Sequence, residues 1–593
     1  MTTTTKHLIN AIENSVYENL LGLVSTNHSL QVIPECNSVI RKDFLTYRQK
    51  SNVLLISGGG SGHEPMFAGF VGSGLLTGAV AGNIFASPPP RRTLRLIETI
   101  ADKSVNEILI IIANYTGDRL NFGLAREHAI LNGYNVDVFI FGEDVAFYGE
   151  GKSAGRRGLA GITFVHKLAG ALAEEGNNMK QIKEALNNYS PLIGTISISL
   201  NSCNIPGLGN SFDLAFDEIE LGLGVHGEAG VERMKLSSAR DVVSVMLQHL
   251  VGKTSPLFES IKKYNNRIVI LFNNTGGLSM FELNIIINET ITQLEALDLQ
   301  IERLYFGSFM TSFGMSGVSI TAMTVDNKML HLLDRPSSSS AWNQLVNTPK
   351  ILNRSTILKT QRQSSQVIDF ESIDGLKFGK QLFLKCIELS CKALISHEKY
   401  LNELDTQLGD GDCGSTLSTT AKHLLQLISN NELKPSFIQL SQLCENNMGG
   451  TSGAIYSLMF TAASQAVRAN NDRIDEKTYD YLDFWRDVIK YSLDTITRYS
   501  SAKPGDRSML DSLYSVYQVL DSCDHNLTYN QIANLVSKGA KSGAESTAAM
   551  KASVGRASYV NLDKVTKPDP GAIAVSIWIN AIAQAFNEFD NKV

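Results

Sequence analysis

What constrains this chain most is a change of pattern near residue 372. Upstream, short apolar runs such as Val53–Ile56 and Ile108–Ile112 are followed by small or polar turn residues. Runs of that length between turn signals read as buried strands of a sheet. Downstream, apolar residues recur at helical spacing over Lys377–Ser396, Ser415–Ser429, Phe437–Asn446, Ala454–Ala469, Thr478–Arg498, Ser508–Val519, Tyr529–Thr547 and Ala572–Glu588. A period near 3.6 means amphipathic helices, so the second half is expected to be all-α. Between the halves, Pro336-Ser337-Ser338-Ser339-Ser340, Asn353-Arg354-Ser355 and Gln361–Gln366 offer few apolar anchors and read as a linker. The expected organisation is an α/β domain over 8–345, a linker over 346–371 and an all-α domain over 372–591. The α/β part divides in two, at about 8–190 and 191–345, in keeping with the length of 593 residues, which suggests about four units.

In the first half, residues 7 to about 25 carry helical spacing. The apolar run Val53–Ser57 then meets Gly58-Gly59-Gly60-Ser61-Gly62-His63-Glu64-Pro65, expected as a loop after a strand. Open α/β sheets place ligands at such strand ends. The loop lacks the Gly-Lys-Ser/Thr of a P-loop and the Gly-x-Gly-x-x-Gly fingerprint, which leaves a cradle for a small polar molecule. Strands at Ile108–Ile112 and Val136–Phe141, with a helix over about 120–132 between them, imply a mostly parallel sheet. Asp118, in Asn114-Tyr115-Thr116-Gly117-Asp118-Arg119, reads either as a turn or helix N-cap or as a site residue. Further strands are expected at Thr195–Leu200, Ile268–Phe272 and Val318–Val325. Gly222, Gly224 and Gly227 match the dinucleotide fingerprint literally. The preceding Phe212–Glu220 is acidic rather than a buried apolar strand, so that reading is rejected. His226, flanked by glycines, is expected to be more exposed than an ordinary structural histidine.

In the second half, Leu404–Gly414 carries Asp405, Asp410 and Asp412 interleaved with glycine. Carboxylates without a nearby cationic side chain repel one another, and their hard oxygens suit Mg²⁺, which keeps waters and takes phosphate oxygens as further ligands. An ordinary Asp/Gly surface turn is the alternative. Met448-Gly449-Gly450-Thr451-Ser452-Gly453, Pro504-Gly505-Asp506-Arg507 and Asp569-Pro570-Gly571 supply three more small-residue loops between helices. Four such loops favour one nucleotide site assembled at helix ends.

A net charge of −6 gives no broad footprint for nucleic acid or an anionic membrane. No run of about 20 apolar residues is present to span a bilayer, and residues 1–7 lack a signal-peptide core. The seven cysteines are scattered without a Cys-x-x-Cys pair, which argues against zinc or a disulfide framework and fits a reducing cytoplasm.

Together Ser57–Pro65, Asn114–Phe122, Gly155–Gly158, Glu220–Gly230, Gly409–Gly414, Gly505–Asp511, Gly555–Tyr559 and Asp569–Gly571 resemble the ATP-dependent dihydroxyacetone kinase family over about 8–345 and 374–590. The likeness is strongest to its animal branch, which also cleaves FAD to AMP and cyclic 4′,5′-FMN. The resemblance implies a dihydroxyacetone-binding α/β domain followed by an all-α helical barrel that binds nucleotide. It implies ATP-dependent phosphorylation of dihydroxyacetone and D-glyceraldehyde with Mg²⁺, and FAD cleavage with Mn²⁺ or another divalent metal. By the same resemblance His226 bonds covalently to the substrate carbonyl as a hemiaminal, Asp118 accepts the hydroxyl proton, and His63 is a third catalytic residue. Gly60, Ser61, Gly62 and His63 surround the substrate, and Asp405, Asp410 and Asp412 hold metal. Asp410, Gly411, Asp412, Cys413, Thr451, Ser452, Gly505, Asp506, Asp569, Pro570 and Gly571 contact the nucleotide. The chain reads Ala113 where the family reads a substrate-site lysine. A homodimer in the cytoplasm is expected, with no nucleic acid or membrane as partner. The alternatives are a kinase-impaired FAD-AMP lyase and an adaptor for an RNA-sensing helicase.

Overall fold

The computed structural model describes residues 6–148, 155–206, 209–210, 213–342, 379–406, 410–470, 480–500, 502–551 and 567–590. It falls into two compact units, Met1–Lys359 and Thr360–Val593. The expected linker at 346–371, Gly409 and the Gly555–Tyr559 motif lie outside the described residues.

The first unit holds two six-stranded sheets. One is built from β1 (Leu30–Ile33), β2 (Ser38–Arg41), β3 (Val53–Ser61), β4 (Gly78–Ile84), β5 (Glu107–Ala113) and β6 (Asn135–Phe141), in the order β1-β2-β4-β3-β5-β6. Strands β4, β3, β5 and β6 are parallel, as the β-α-β reading expected. The helix after β5 runs Thr116–Leu131. The glycine run does not form a loop: β3 continues through Gly58, Gly59 and Gly60 to Ser61, buried throughout. Close packing explains the composition, because a Cβ on Gly58 would stand 2.4 Å from the Val80 carbonyl oxygen. One on Gly59 would stand 2.5 Å from the Phe67 ring.

The second sheet uses β7 (Ile193–Ser199), β10 (Glu218–Leu221), β11 (Glu232–Lys235), β12 (Arg267–Asn274), β13 (Gln300–Gly307) and β14 (Gly317–Thr324), in the order β11-β10-β7-β14-β12-β13. The numbers β8 and β9 belong to a small hairpin at Asn204–Ile205 and Gly209–Asn210. This sheet is mostly antiparallel, with only β12 and β13 parallel. Its edge region corrects one expectation, since Glu218–Leu221 before Gly222 is a strand, and Ile219, Glu220 and Leu221 are buried. The acidic composition concealed it because Glu220 is satisfied internally, accepting from the Gly230 amide at 2.6 Å and from Arg233 at 3.3 Å. No helix opens after Gly222, so the fingerprint is still not a dinucleotide turn.

The helix Ile162–Glu174 is buried from Ile162 to Ala173. One apolar cluster joins it to Leu55 and Leu109 of the first sheet and to Val269 and Met323 of the second. The two sheets therefore share a core, and residues at their strand ends are held at fixed separations.

In the second unit, nine α-helices lie among the described residues: Gly379–Ser396, Glu398–Asp405, Cys413–Ser429, Phe437–Asn447, Gly450–Ala469, Tyr481–Tyr499, Met509–Ser522, Tyr529–Ser546 and Pro570–Asp590. Eight match the expected stretches. The ninth, Glu398–Asp405, was hidden by its brevity, with only Leu401 and Leu404 buried. Each long helix packs on the next, and Pro570–Asp590 returns against Gly379–Ser396, so the long helices close a ring. An apolar cavity of about 170 Å³, lined by Leu382, Phe437, Met459, Trp485 and Trp578 among others, fills its interior. No helix among the described residues is long and apolar enough to cross a membrane.

Candidate functional site

The first unit gathers its candidate residues where the two sheets meet. His63 follows the C-terminal end of β3, and Asp118 lies in the first turn of the helix after β5. Both sit at the ends of parallel strands, where chain exits leave room for a ligand. His226 comes from the other sheet, on the loop after β10.

The hydrogen bonds define donors and acceptors. His63 Nδ1 lies 2.9 Å from the Thr311 carbonyl, which can only accept, so His63 donates there and its Nε2 is an acceptor. His226 Nε2 is 3.0 Å from that atom and is therefore the donor between the two rings. Its Nδ1 donates to Glu228 Oε1 at 2.8 Å. Burial, with the positive charge of His226 adding to it, pushes His63 down to about 3. Glu228 falls to about 2: burial raises it, and the His226 bond and charge outweigh that.

Asp118 is 8% exposed. Its burial raises the carboxyl to about 6, while Ser87 and His226 work against the rise. The N-cap reading is not realised, because Tyr115 occupies that position. Gly60 and Ser61 end β3, and Gly62 turns the chain with φ +96° into His63. Ala113 is the last residue of β5, 1% exposed.

Two aromatic residues complete the cluster, neither of them singled out in the sequence. Phe85 stacks on His63 with centroids 4.9 Å apart and meets His226 edge-on at 5.4 Å. Tyr115 meets His226 edge-on at 4.9 Å. Long-range ring contacts of this kind leave no local pattern in a sequence. The signal for Tyr115 was present, since it lies in the quoted Asn114–Arg119 stretch.

The second unit brings Asp405, Asp410 and Asp412 together, with one carboxylate oxygen from each within 4.8 Å of the others. Asp405 is not a loop residue: it ends the helix Glu398–Asp405, and its Oδ2 accepts the Asp412 amide at 3.0 Å and the Cys413 amide at 3.2 Å. Hard oxygen donors converging in this way suit a divalent cation such as Mg²⁺. Burial, with the neighbouring Asp405 adding to it, pushes the Cys413 thiol up to about 12.

A ring of helices that alternate in direction starts every second helix at the same end. Cys413–Ser429, Gly450–Ala469, Met509–Ser522 and Pro570–Asp590 are every second long helix in chain order, and the four small-residue loops lie at or just before their starts. Thr451 and Ser452 lie in the first turn of Gly450–Ala469, whose N-cap Gly449 offers no side-chain cap. Open amide groups at a helix start favour phosphate. Gly505, with φ +100°, donates to Asp511, which also accepts the Ser508 amide at 2.7 Å, and Asp506 accepts from Lys503 at 2.7 Å. Asp569 Oδ2 accepts the Ala572 amide at 2.8 Å across Pro570 and Gly571. Burial raises Asp569 to about 6, with Asp511 and Asp405 adding to it and Arg507 opposing. A Cβ on Gly571 would stand 3.4 Å from that of Met509, so the Asp569–Gly571 turn lies against the start of Met509–Ser522. Arg507, quoted in the sequence without a role, is 4% exposed and donates through Nη2 to the Lys567 carbonyl at 2.7 Å.

Comparison with known proteins covers both units. The Dak1 domain model matches residues 21–341 and the DAK2 domain model residues 407–584. The chain is 39% identical over 584 residues to "Triokinase/FMN cyclase" of Mus musculus, spanning 98% of each. It is 38% identical over 586 residues to the Homo sapiens protein of the same name, spanning 98% of this chain and 99% of that one. The dihydroxyacetone kinase from C. freundii, solved in complex with AMP-PNP and Mg²⁺, superposes with a TM-score of 0.62 at 29% identity, over 98% of this chain and 99% of that chain. With both domains matched in order and relatives aligned end to end, the chain belongs to the dihydroxyacetone kinase family.

Proposed function

We propose that this chain transfers the γ-phosphoryl group of ATP to dihydroxyacetone and D-glyceraldehyde, and that it also cleaves FAD to AMP and cyclic 4′,5′-FMN. What supports the first activity most is the hydrogen-bonded chain Thr311–His63–His226–Glu228 beside Asp118. The name triokinase/FMN cyclase carried by full-length relatives supports both.

Capture of the triose follows from the donors. As the Nε2 proton of His226 passes by way of His63 Nε2 to the carbonyl oxygen, the freed lone pair bonds to the carbonyl carbon and the C=O π electrons move to that oxygen. Nδ1–H stays on Glu228, whose carboxylate balances the positive charge of the substituted ring. Glycerol, with no carbonyl, is not held this way. Asp118 then accepts the proton of the reacting hydroxyl while that oxygen attacks phosphorus and ADP leaves. Mg²⁺ held by Asp405, Asp410 and Asp412 would neutralise charge on the phosphate oxygens. In FAD cleavage a ribityl hydroxyl attacks the flavin-side phosphorus and AMP leaves, a reaction with no aldehyde or ketone to capture. A homodimer in the cytoplasm completes the reading. The deciding experiment is a side-by-side assay of the purified protein with ATP plus dihydroxyacetone and with FAD plus Mn²⁺. FAD cleavage without triose phosphorylation would make it a kinase-impaired lyase, and loss of both would leave an adaptor for an RNA-sensing helicase.

Two predictions belong to the triose site. Asp118 must be ionised to act as a base, and its carboxyl is raised to about 6. Its base form is therefore complete well above pH 6 and falls about tenfold per pH unit below it. The value of kcat/KM for dihydroxyacetone is expected to drop on acidification through about pH 6 and to be level at pH 7–8. A profile still flat at pH 5 would remove Asp118 from the base role.

The second concerns Ala113, which shares an apolar cluster with Val225, the neighbour of His226. A lysine there extends along the face from which Tyr115 reaches His226, and its ammonium supplies a donor for a triose oxygen. A charged hydrogen bond contributes about 1.5–3 kcal/mol, roughly ten- to a hundredfold in rate. Ala113→Lys is expected to raise kcat/KM for dihydroxyacetone by about that factor and to leave FAD cleavage within about twofold. Its Tm should fall, because the stem must pass Gly158, where an added Cβ would already be 2.9 Å from that of Ala113. Unchanged triose kinetics in a folded variant would show the site complete with alanine.

A further inference from the structure

We propose that Arg157 is a positioning residue for His226, holding the loop that carries it where triose capture needs it. The inference rests on the triose-site reading above. Three carbonyls of the loop before His226 accept a hydrogen bond from a buried or largely buried side chain. Ser197 Oγ donates to Leu223 at 2.9 Å, Ser312 Oγ to Val225 at 2.5 Å, and Arg157 Nη2 to Gly222 at 2.5 Å. Ser197 lies in β7 and Ser312 between β13 and β14, so both tie the loop to its own sheet.

Arg157 ties it to the segment that follows β6. Its Nε and Nη2 bond Asp144 Oδ2 at 2.7 and 2.6 Å, and the Asp144 side chain is 1% exposed. Asp144 lies beyond the end of β6, where it forms a parallel bridge with Thr195 of β7, and its backbone amide donates to the Arg157 carbonyl at 3.1 Å. The guanidinium also reaches the far side of the loop. A Cβ on Gly224 would stand 2.7 Å from Arg157 Nη1 and 2.0 Å from Glu228 Oε2, so glycine leaves the space in which those two groups approach. Gly222, at φ +74°, presents the carbonyl that Arg157 takes. His63 and Asp118 come from the first sheet and His226 from the second. One fork that grips the buried Asp144 carboxylate and the Gly222 carbonyl therefore fixes the start of the loop that carries His226. A misplacement of about 1 Å in such a site typically costs about a hundredfold in rate.

Arg157→Lys separates this role from a stabilising one. A lysine keeps the charge opposite Asp144 but is shorter and unforked, so it cannot hold the carboxylate and the Gly222 carbonyl together. In the full chain, amide exchange is expected to speed up about tenfold in the peptide covering 222–228 and to stay unchanged in β3 and β5. KM for dihydroxyacetone should rise about tenfold or more, with KM for ATP and the FAD cleavage rate within about twofold. Arg157→Ala should lose further activity and regain part of it with millimolar guanidinium, which supplies the missing fork. Wild-type exchange at 222–228 in Arg157→Lys would overturn the proposal, and so would faster exchange throughout the unit, which would mark a structural role only. A wild-type protein without triose phosphorylation would instead refute the functional reading, and the exchange pattern would still decide whether Arg157 holds the loop.

Discussion

Asp410→Ala and Asp412→Ala are each expected to abolish triose phosphorylation and FAD cleavage together. Both reactions break a bond to phosphorus in a pyrophosphate, and both develop charge on oxygens that a divalent cation must offset. The three carboxylates converge within 4.8 Å, so removing one leaves two of the three to hold the cation. A loss of at least about a thousandfold, roughly 4 kcal/mol, is expected in kcat/KM for each reaction. Asp405→Ala is the less informative variant, because Asp405 also accepts the amides that begin the next helix. Its effect would mix metal loss with loss of a cap, worth about 1 kcal/mol. Asp410 and Asp412 are exposed, and relief of repulsion should leave the metal-free Tm level or slightly higher. Rates for the two reactions, with titrated Mg²⁺ and Mn²⁺, check the result. Loss of one activity alone in either variant would show that the reactions do not share this cluster.

His226→Ala is expected to part the two activities. Capture through Nε2 holds the triose so that its hydroxyl is presented for transfer, and an alanine removes the bonding atom and the proton donor to His63 together. A covalent anchor of this kind is worth about a hundredfold or more in rate. FAD presents no aldehyde or ketone for capture, and its cleavage should stay within about twofold. The loop should survive, because its neighbouring carbonyls are held by Arg157, Ser197 and Ser312 rather than by the imidazole. Kinetics with each substrate test the rates, and a crystal soaked with dihydroxyacetone tests the bond. Continuous density between His226 Nε2 and the triose carbon in the wild type is the expected image. A free triose beside an intact histidine would remove the covalent step.

The halves of this chain were legible because each has its own period. The runs at Val53–Ile56 and Ile108–Ile112 are hydrophobic on both faces, as strands covered by helices must be, and they appear as β3 and β5. The eight long helices showed through their apolar stripes for the same reason. Local pattern failed where composition and position pulled apart. Three consecutive glycines read as a loop, yet Gly58–Gly60 extend β3 because neighbouring backbone and rings fill the space of their side chains. Asp405 read as part of an acidic turn, yet it closes a helix too short to show a stripe.

The sequence by itself determined the two fold classes, their order and the chemistry available. An acidic glycine loop, glycine-flanked His226 and Asp118 after a strand were visible as residue types at fixed spacings. Only the tertiary structure decided which of these meet. His63 and His226 are 163 residues apart and come from different sheets, yet their nitrogens lie 3.0 Å from each other because one buried helix, Ile162–Glu174, fastens both sheets into one core. The state of Asp118 is likewise a tertiary property, since burial raises its carboxyl to about 6 and no local motif encodes burial. Spacing along the chain records which groups are present. Their separation, exposure and charge depend on contacts between distant segments, and those exist only once the core has packed.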